Sequence, residues 1–233
     1  MIEAINVSKN FGPKAALREL SLRIAPGELY AMLGANGAGK STAINILLGF
    51  LTPDSGTAAI AGQPVAGRQG RLPVAYIPEN LALYGKLSGL ENLAYFSALA
   101  GQRYPQGKLA TFLERAGLAA EHHHQRVEGY SKGMRQKTGI AIALAAQAKA
   151  LLLDEPASGL DPQAAAEFAQ VLKGLRDGGM AILMATHDLF RAWDCADKIG
   201  ILHQGRLVAE RQASELTLPG LEQLYLQSNG YAA

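Results

Sequence analysis

Cysteine is nearly absent. Cys195 stands alone in 233 residues, so no internal disulfide can form and a reducing compartment fits the chain best. An excess of either charge is missing as well. The 22 basic and 20 acidic residues leave a formal net charge of +2, without the marked basic excess that a nucleic-acid partner would require. No apolar run is long enough to span a membrane. The longest window, Ile140 to Leu153, is broken by Gln147 and Lys149 and falls short of the roughly 20 residues a span needs. A membrane role is therefore expected only through a partner. The start, "MIEAINVSKNF", has no apolar stretch behind a basic head, so it is not read as a secretory signal. Internal repeats and low-complexity segments are absent too. What remains is an ordinary globular composition, rich in Ala, Leu and Gly, and long enough to bury one good core.

Residues 2–30 alternate apolar and polar positions around the turn "APGE", which predicts short antiparallel strands. "LYAMLG", Leu29 to Gly34, is a continuous apolar run closed by glycine, as in a buried parallel strand. "STAINILLGF" reads as a helix stopped at Gly49, and "VAYIP", Val74 to Pro78, as a further buried strand. Residues 81–128 differ. Ser88 and Glu91 stand at capping-box spacing, and Leu109, Phe112, Leu113 and Ala116 follow helical periodicity, so a helical lobe is expected there. Asp161-Pro162 opens another helix, carrying Phe168, Val171, Leu172 and Leu175 and ended by Gly178-Gly179. "MAILMATHD" predicts a buried strand ending at His187. The tail from about 210 to 233 is polar and reads as helical. "EHHHQ", Glu121 to Gln125, offers consecutive histidines that cannot all face one ion on a helix, and is expected to be a solvated connector.

Two features carry chemistry. "GANGAGKST" matches G-x-x-x-x-G-K-[ST] between a strand and a helix. Gly34, Ala35, Asn36, Gly37, Ala38 and Gly39 would wrap backbone N–H groups around phosphate oxygens, aided by the helix N-terminus. Lys40 would reach the β- and γ-phosphates, Ser41 would put its hydroxyl on Mg²⁺, and Thr42 completes the motif. The second feature is "LLLDEP", where Asp154 and Glu155 end an apolar run that should not tolerate two carboxylates unaided. Beside a phosphate loop they make sense. Asp154 is placed to hold the magnesium, and Glu155 to polarise an attacking water as general base. The pair points to hydrolysis of Mg·ATP. No Asn-Lys-x-Asp guanine motif is present to favour GTP.

Together with "YSKGMRQK" (Tyr130 to Lys137), "SGLD" (Ser158 to Asp161) and "ATHD", these motifs give the chain, from Phe11 to about Leu207, a close resemblance to the ATP-binding cassette (ABC) proteins. It looks most like the ATPase subunits of bacterial exporters for drugs, polysaccharides or copper-maturation systems. The resemblance implies a single α/β nucleotide-binding domain over 1–233: a P-loop NTPase core, a small antiparallel β lobe and an inserted helical lobe. It implies that Phe11 stacks on adenine, although a core aromatic reads equally well. Ser131 and Gly133 match the signature that contacts the γ-phosphate held by an opposite subunit; alone, Ser131 reads as a helix cap. Asp161 matches a loop that crosses the dimer interface, though its N-cap role would also explain it. His187 matches a histidine that bonds the γ-phosphate.

Two departures stand out. The signature reads Tyr130-Ser131-Lys132-Gly133-Met134 where the family's pattern is Leu-Ser-Gly-Gly-Gln, keeping Ser131 and Gly133, and Glu79 in "YIPEN" takes the place where most members have a metal-facing glutamine. The implied partners are a second copy, sandwiching two ATP, and a transmembrane permease. That would hold the chain peripherally at the cytoplasmic face of the inner membrane, with no nucleic acid bound. The rival, a soluble ABC ATPase acting on ribosomes or nucleic acid, is disfavoured by the single uninterrupted cassette and the balanced charge.

Overall fold

The computed structural model describes residues 1–66 and 72–228. Strands β1 (Ile2–Phe11) and β2 (Lys14–Ile24) pair antiparallel, as the alternation predicts. β3 (Leu29–Leu33) is buried at every position and leads through the glycine loop into helix α1 (Lys40–Leu47). β4 (Ser55–Ile60) returns to the free edge of β1, and the short β5 (Gln63–Pro64) completes a four-stranded sheet in the order β2-β1-β4-β5.

After β6 (Val74–Ile77) come three helices, α2 (Gly89–Leu99), α3 (Gln106–Arg115) and α4 (Lys132–Ala145). The Ser88 hydroxyl accepts from the Glu91 N–H while the Glu91 carboxylate accepts from the Ser88 N–H, closing the expected capping box on α2. β7 (Ala150–Asp154), α5 (Pro162–Asp177), β8 (Ala181–Thr186) and α6 (Leu189–Cys195) follow, then β9 (Lys198–His203), β10 (Arg206–Gln212) and α7 (Leu218–Ser228). The second sheet has six strands in the order β10-β9-β3-β8-β7-β6, parallel except for β10.

Period-two alternation divides the apolar side chains of this sheet between two cores. Leu29, Ala31, Leu33, Leu151, Leu153, Ile182 and Met184 face the helical side, against Leu113 and Ile140. Tyr30, Met32, Leu152, Leu183 and Ala185 face α1 and the antiparallel sheet. Burying each such leucine stabilises the fold by about 1.5–3 kcal/mol. Strands covered on both faces are therefore apolar throughout, and their C-terminal ends converge on one edge of the sheet.

Several expectations are corrected. Val74 to Ile77 forms the sheet's edge strand, so only Ile77 is buried. The tail is not uniformly helical. Residues 206–212 form β10, and α7 docks through Leu221, which is fully buried; residues 229–233 lie outside the described residues. The histidine run is not wholly solvated. His123 is 3% exposed with Nε2 3.0 Å from the Leu118 carbonyl, and the His122 carbonyl accepts the Tyr130 hydroxyl at 2.6 Å. The connector is held because it bridges α3 and α4 over the helical core. Cys195 is buried, which pushes its thiol up to about 11 and keeps it protonated.

Candidate active site

The glycine loop owes its shape to close packing between the two sheets. Gly37 and Gly39 have φ of +81° and +113°, in the region that favours glycine. A Cβ on Gly39 would also lie 2.5 Å from the Ala16 carbonyl of β2, which no side chain could tolerate. α1 then begins without any side-chain cap, so its first N–H groups remain free to meet an anion. In front of the loop is a cavity of about 500 Å³. It is lined by Phe11, Lys14, Ala16, Ala35, Asn36, Gly37, Gly39, Lys40, Ser41, Thr42, Glu79, Asp154 and Glu155. That volume suits a small-molecule ligand.

Lys40 is buried, with Nζ donating to the carbonyl oxygens of Gly34 at 2.6 Å and Ala35 at 3.3 Å. The same ammonium lies 3.1 Å from Glu155 Oε1. Glu155 follows the end of β7 with φ +48°, a left-handed conformation that costs a side-chain-bearing residue free energy and is held by its N–H donating to the Ala185 carbonyl at 2.9 Å. This turn aims the carboxylate back over the loop. Its Oε2 accepts the His187 backbone N–H at 3.3 Å and lies 2.9 Å from His187 Nδ1. Its Oε1 is buried and accepts no aligned hydrogen bond, so Lys40 is an ion contact there. Burial pushes the Glu155 carboxyl up, but the His187 bond and the Lys40 charge outweigh it and hold the group below the usual glutamate range.

Asp154 behaves in the opposite way. Its Oδ2 accepts the Ser41 hydroxyl at 2.8 Å, yet burial, reinforced by the neighbouring Glu155 charge, raises its pKa above the ordinary aspartate value. One carboxylate and one hydroxyl supply hard oxygen donors of the kind magnesium takes, with the remaining positions left to water and phosphate. Among the described residues no group of three or more His, Cys, Asp or Glu side chains is placed to enclose a metal by itself. The donor set therefore fits an ion shared with a nucleotide.

Not all the expected residues meet here. Gly34 contributes its carbonyl to Lys40, and Ala38 is packed inside the loop; neither lines the cavity. Phe11 lines it at the rim and is 49% exposed, so it is not a core aromatic. His187 reaches the site only through Glu155. Ser131 caps α4, its Oγ accepting the Met134 N–H at 3.3 Å, and Gly133 is buried with Ala164 and Leu160 nearby. Neither lines this chain's cavity. Asp161 caps α5. Glu79 lines the cavity, but its carboxylate accepts the Ser158 hydroxyl at 3.0 Å. Sequence reasoning missed Lys14 and Ala16, which enter because β2 folds over the loop; their place just after Phe11 was the available signal.

Comparison with known proteins identifies the family. The ABC transporter family profile matches residues 17–158. A daunorubicin resistance ATP-binding protein of Streptomyces coeruleorubidus is 37% identical over 212 residues, 89% of this chain and 67% of the relative. A lantibiotic transport ATP-binding protein of Streptococcus pyogenes is 32% identical over 212 residues, 91% of each chain. The dimeric structure of a bacterial ABC transporter cassette superposes with a TM-score of 0.78 at 25% identity, covering 91% of this chain and 99% of that one. With a phosphate loop and adjacent carboxylates gathered at one cavity, and a strand-end histidine bonded to one of them, the chain belongs to the ABC transporter family, as an ATP-binding subunit that hydrolyses ATP.

Proposed function

We propose that the chain energises export through a separate membrane subunit, working as a dimer that encloses two ATP molecules. The observation that carries this reading is a division of parts. The cavity holds Lys40, Ser41, Asp154 and Glu155, while Ser131 and Gly133 stand elsewhere on the same chain. A second copy supplies what the first cavity lacks.

In this reading Phe11 stacks on the base, the loop N–H groups hold the phosphates, and Lys40 leaves the Gly34 carbonyl for the β- and γ-phosphates. Ser41 and Asp154 would hold Mg²⁺, with Glu79 as a further candidate; the ion would neutralise developing phosphate charge. Glu155 takes the proton of the attacking water. Its low pKa, set by His187 and Lys40, keeps it ionised but weakly basic. Departure of Lys40 towards phosphate removes one stabilising partner and raises its basicity when substrate is present. His187 orients the carboxylate and presents its ring to the γ-phosphate. Ser131 and Gly133 close on the nucleotide of the opposite subunit.

Among the described residues no helix is long and apolar enough to cross a membrane. In this reading attachment is peripheral, through the permease at the cytoplasmic face of the inner membrane. The named relatives support drug or peptide-antibiotic cargo, and the balanced charge supports no nucleic-acid partner. Vesicles carrying the co-purified permease test the reading. ATP-dependent accumulation of a labelled amphiphilic drug inside inverted vesicles is expected; ATPase activity that co-purifies with ribosomes and no membrane subunit would overturn it.

A further inference from the structure

Glu79 belongs to two places. It lines the nucleotide cavity with Asp154 and Glu155, and it also lines a neighbouring cleft with Lys132 and Gln136. Its Oε1 accepts the Ser158 hydroxyl at 3.0 Å and lies 3.9 Å from Lys132 Nζ. Beneath it, the buried Gln136 amide donates Nε2 to the carbonyl oxygens of Pro78 and Glu79, at 3.3 Å each, and so ties this loop to α4. Lys132 is the first residue of α4, and Ser158 lies in the turn between β7 and α5. One carboxylate therefore joins three segments distant in sequence. Glu79 and Lys132 are also positions where the chain departs from the family's motifs, and the charge at one answers the charge at the other.

We propose that Glu79, Lys132 and Ser158 form a latch inside one subunit, closed in the nucleotide-free chain and released by Mg·ATP. This inference rests on the nucleotide-binding reading of the cavity. It makes Glu79 a positioning residue that holds the starts of the signature helix and of the Ser158 turn until the cavity is loaded. The pair is partly solvated, Lys132 being 27% and Glu79 47% exposed at the side chain, so the latch is weak enough to open. Nucleotide and metal act on it with opposite signs. Phosphate charge repels the carboxylate and leaves it on Lys132, whereas a divalent cation competes for it with twice the charge of one ammonium. ATP alone should keep the latch closed, and ATP with Mg²⁺ should open it, so that Lys132 and Ser158 are freed only when a competent nucleotide is in place.

Zero-length carbodiimide coupling of the full chain tests this, because it joins a carboxylate only to an amine already in contact. The amide between Glu79 and Lys132 is read by peptide mass spectrometry, with Lys132→Gln as the control that must lose it. The link is expected in the nucleotide-free protein, retained with a non-hydrolysable ATP analogue in EDTA, and reduced several-fold with the analogue and Mg²⁺. Binding of a fluorescent ATP analogue is followed in parallel. If nucleotide binds with Mg²⁺ and the link is unchanged, or if the link never forms, the latch is overturned while the nucleotide reading stands. If no nucleotide binds, the nucleotide reading fails and takes the release step with it.

Discussion

Lys40 Nζ and Glu155 Oε1 lie 3.1 Å apart, so the cation that opens α1 and the carboxylate just beyond β7 neutralise each other. This contact answers for one of the two adjacent acids at the end of a buried strand; the other, Asp154, accepts the Ser41 hydroxyl. In the proposed mechanism an incoming γ-phosphate would draw Lys40 away from Glu155, the proposed base. Replacing Glu155 with Gln keeps the shape of the site but removes the proton acceptor. Turnover should fall roughly 10²- to 10⁴-fold. ATP should then hold a dimer that wild-type protein resolves by hydrolysis. Light scattering with ATP and Mg²⁺ checks this, and a monomer at every ATP concentration would contradict the shared-site reading.

The neighbouring carboxylates should respond to pH with opposite signs. Asp154 has a raised pKa in the fold, so its ionised form costs stability above that value, and the cost disappears as pH falls through it. Asp154→Asn can still accept the Ser41 hydroxyl. It should raise the melting temperature of the nucleotide-free protein near neutral pH by about 1–4 °C, the response expected of roughly 1 kcal/mol or less in a chain of this size. The gain should vanish in acid. Glu155 has a lowered pKa and stabilises the fold above its unfolded value, losing that contribution as pH falls below it. Glu155→Gln should therefore melt lower at neutral pH and match wild type in acid. Calorimetry across pH 3–8 or so reads both; shifts of one sign for both variants would reject the assignment.

Much of this was legible in the sequence, and the reasons are local. A continuous apolar run such as Leu29 to Leu33, closed by glycine, reads as a strand covered on both faces, and the glycine spacing of the loop marks a backbone with left-handed positions such as Gly39. Asp154 and Glu155 drew attention because their burial needed an answer. What stayed hidden depends on contacts distant in sequence. β6 looks like a central strand by composition, and only sheet order makes it an edge. His123 is polar by type, yet the chain path between α3 and α4 buries it against the Leu118 carbonyl. The approach of Glu79 to Ser158 and Lys132 spans loops that no periodicity connects.

Glu79 also bears on metal dependence. A carboxylate at the cavity wall attracts Mg²⁺ more strongly than the neutral amide of glutamine. Glu79→Gln should raise the Mg²⁺ concentration needed for half-maximal ATPase activity, by about two- to fivefold for a partly solvated charge. A magnesium titration of both proteins at fixed ATP decides it. Overlapping curves would confine Glu79 to its contacts with Ser158 and Lys132.

The surface ahead of α2 is the place where a membrane subunit should dock. Tyr84 and Tyr95 are 49% and 41% exposed, with their rings edge-on at 4.9 Å and Phe96 stacked on Tyr84 at 5.9 Å. Leu81 and Leu83 instead pack partly against the core, so the exposed apolar face of this segment is aromatic. An exposed aromatic cluster suits a partner that offers an apolar helix or loop. The backbone beneath it is fixed independently, because the Tyr84 N–H donates to Asn92 Oδ1 at 2.8 Å and Asn92 is fully buried. Tyr84→Asp should therefore leave the lobe folded while placing an unpaired charge in the contact. Co-purification with the permease should fall at least about tenfold, the effect of losing roughly 1.4 kcal/mol at an aromatic anchor. Binding of a fluorescent ATP analogue should stay within twofold or so of wild type, since the cavity lies on other elements. Loss of both activities would point to a damaged fold, and retention of both would move the docking surface elsewhere.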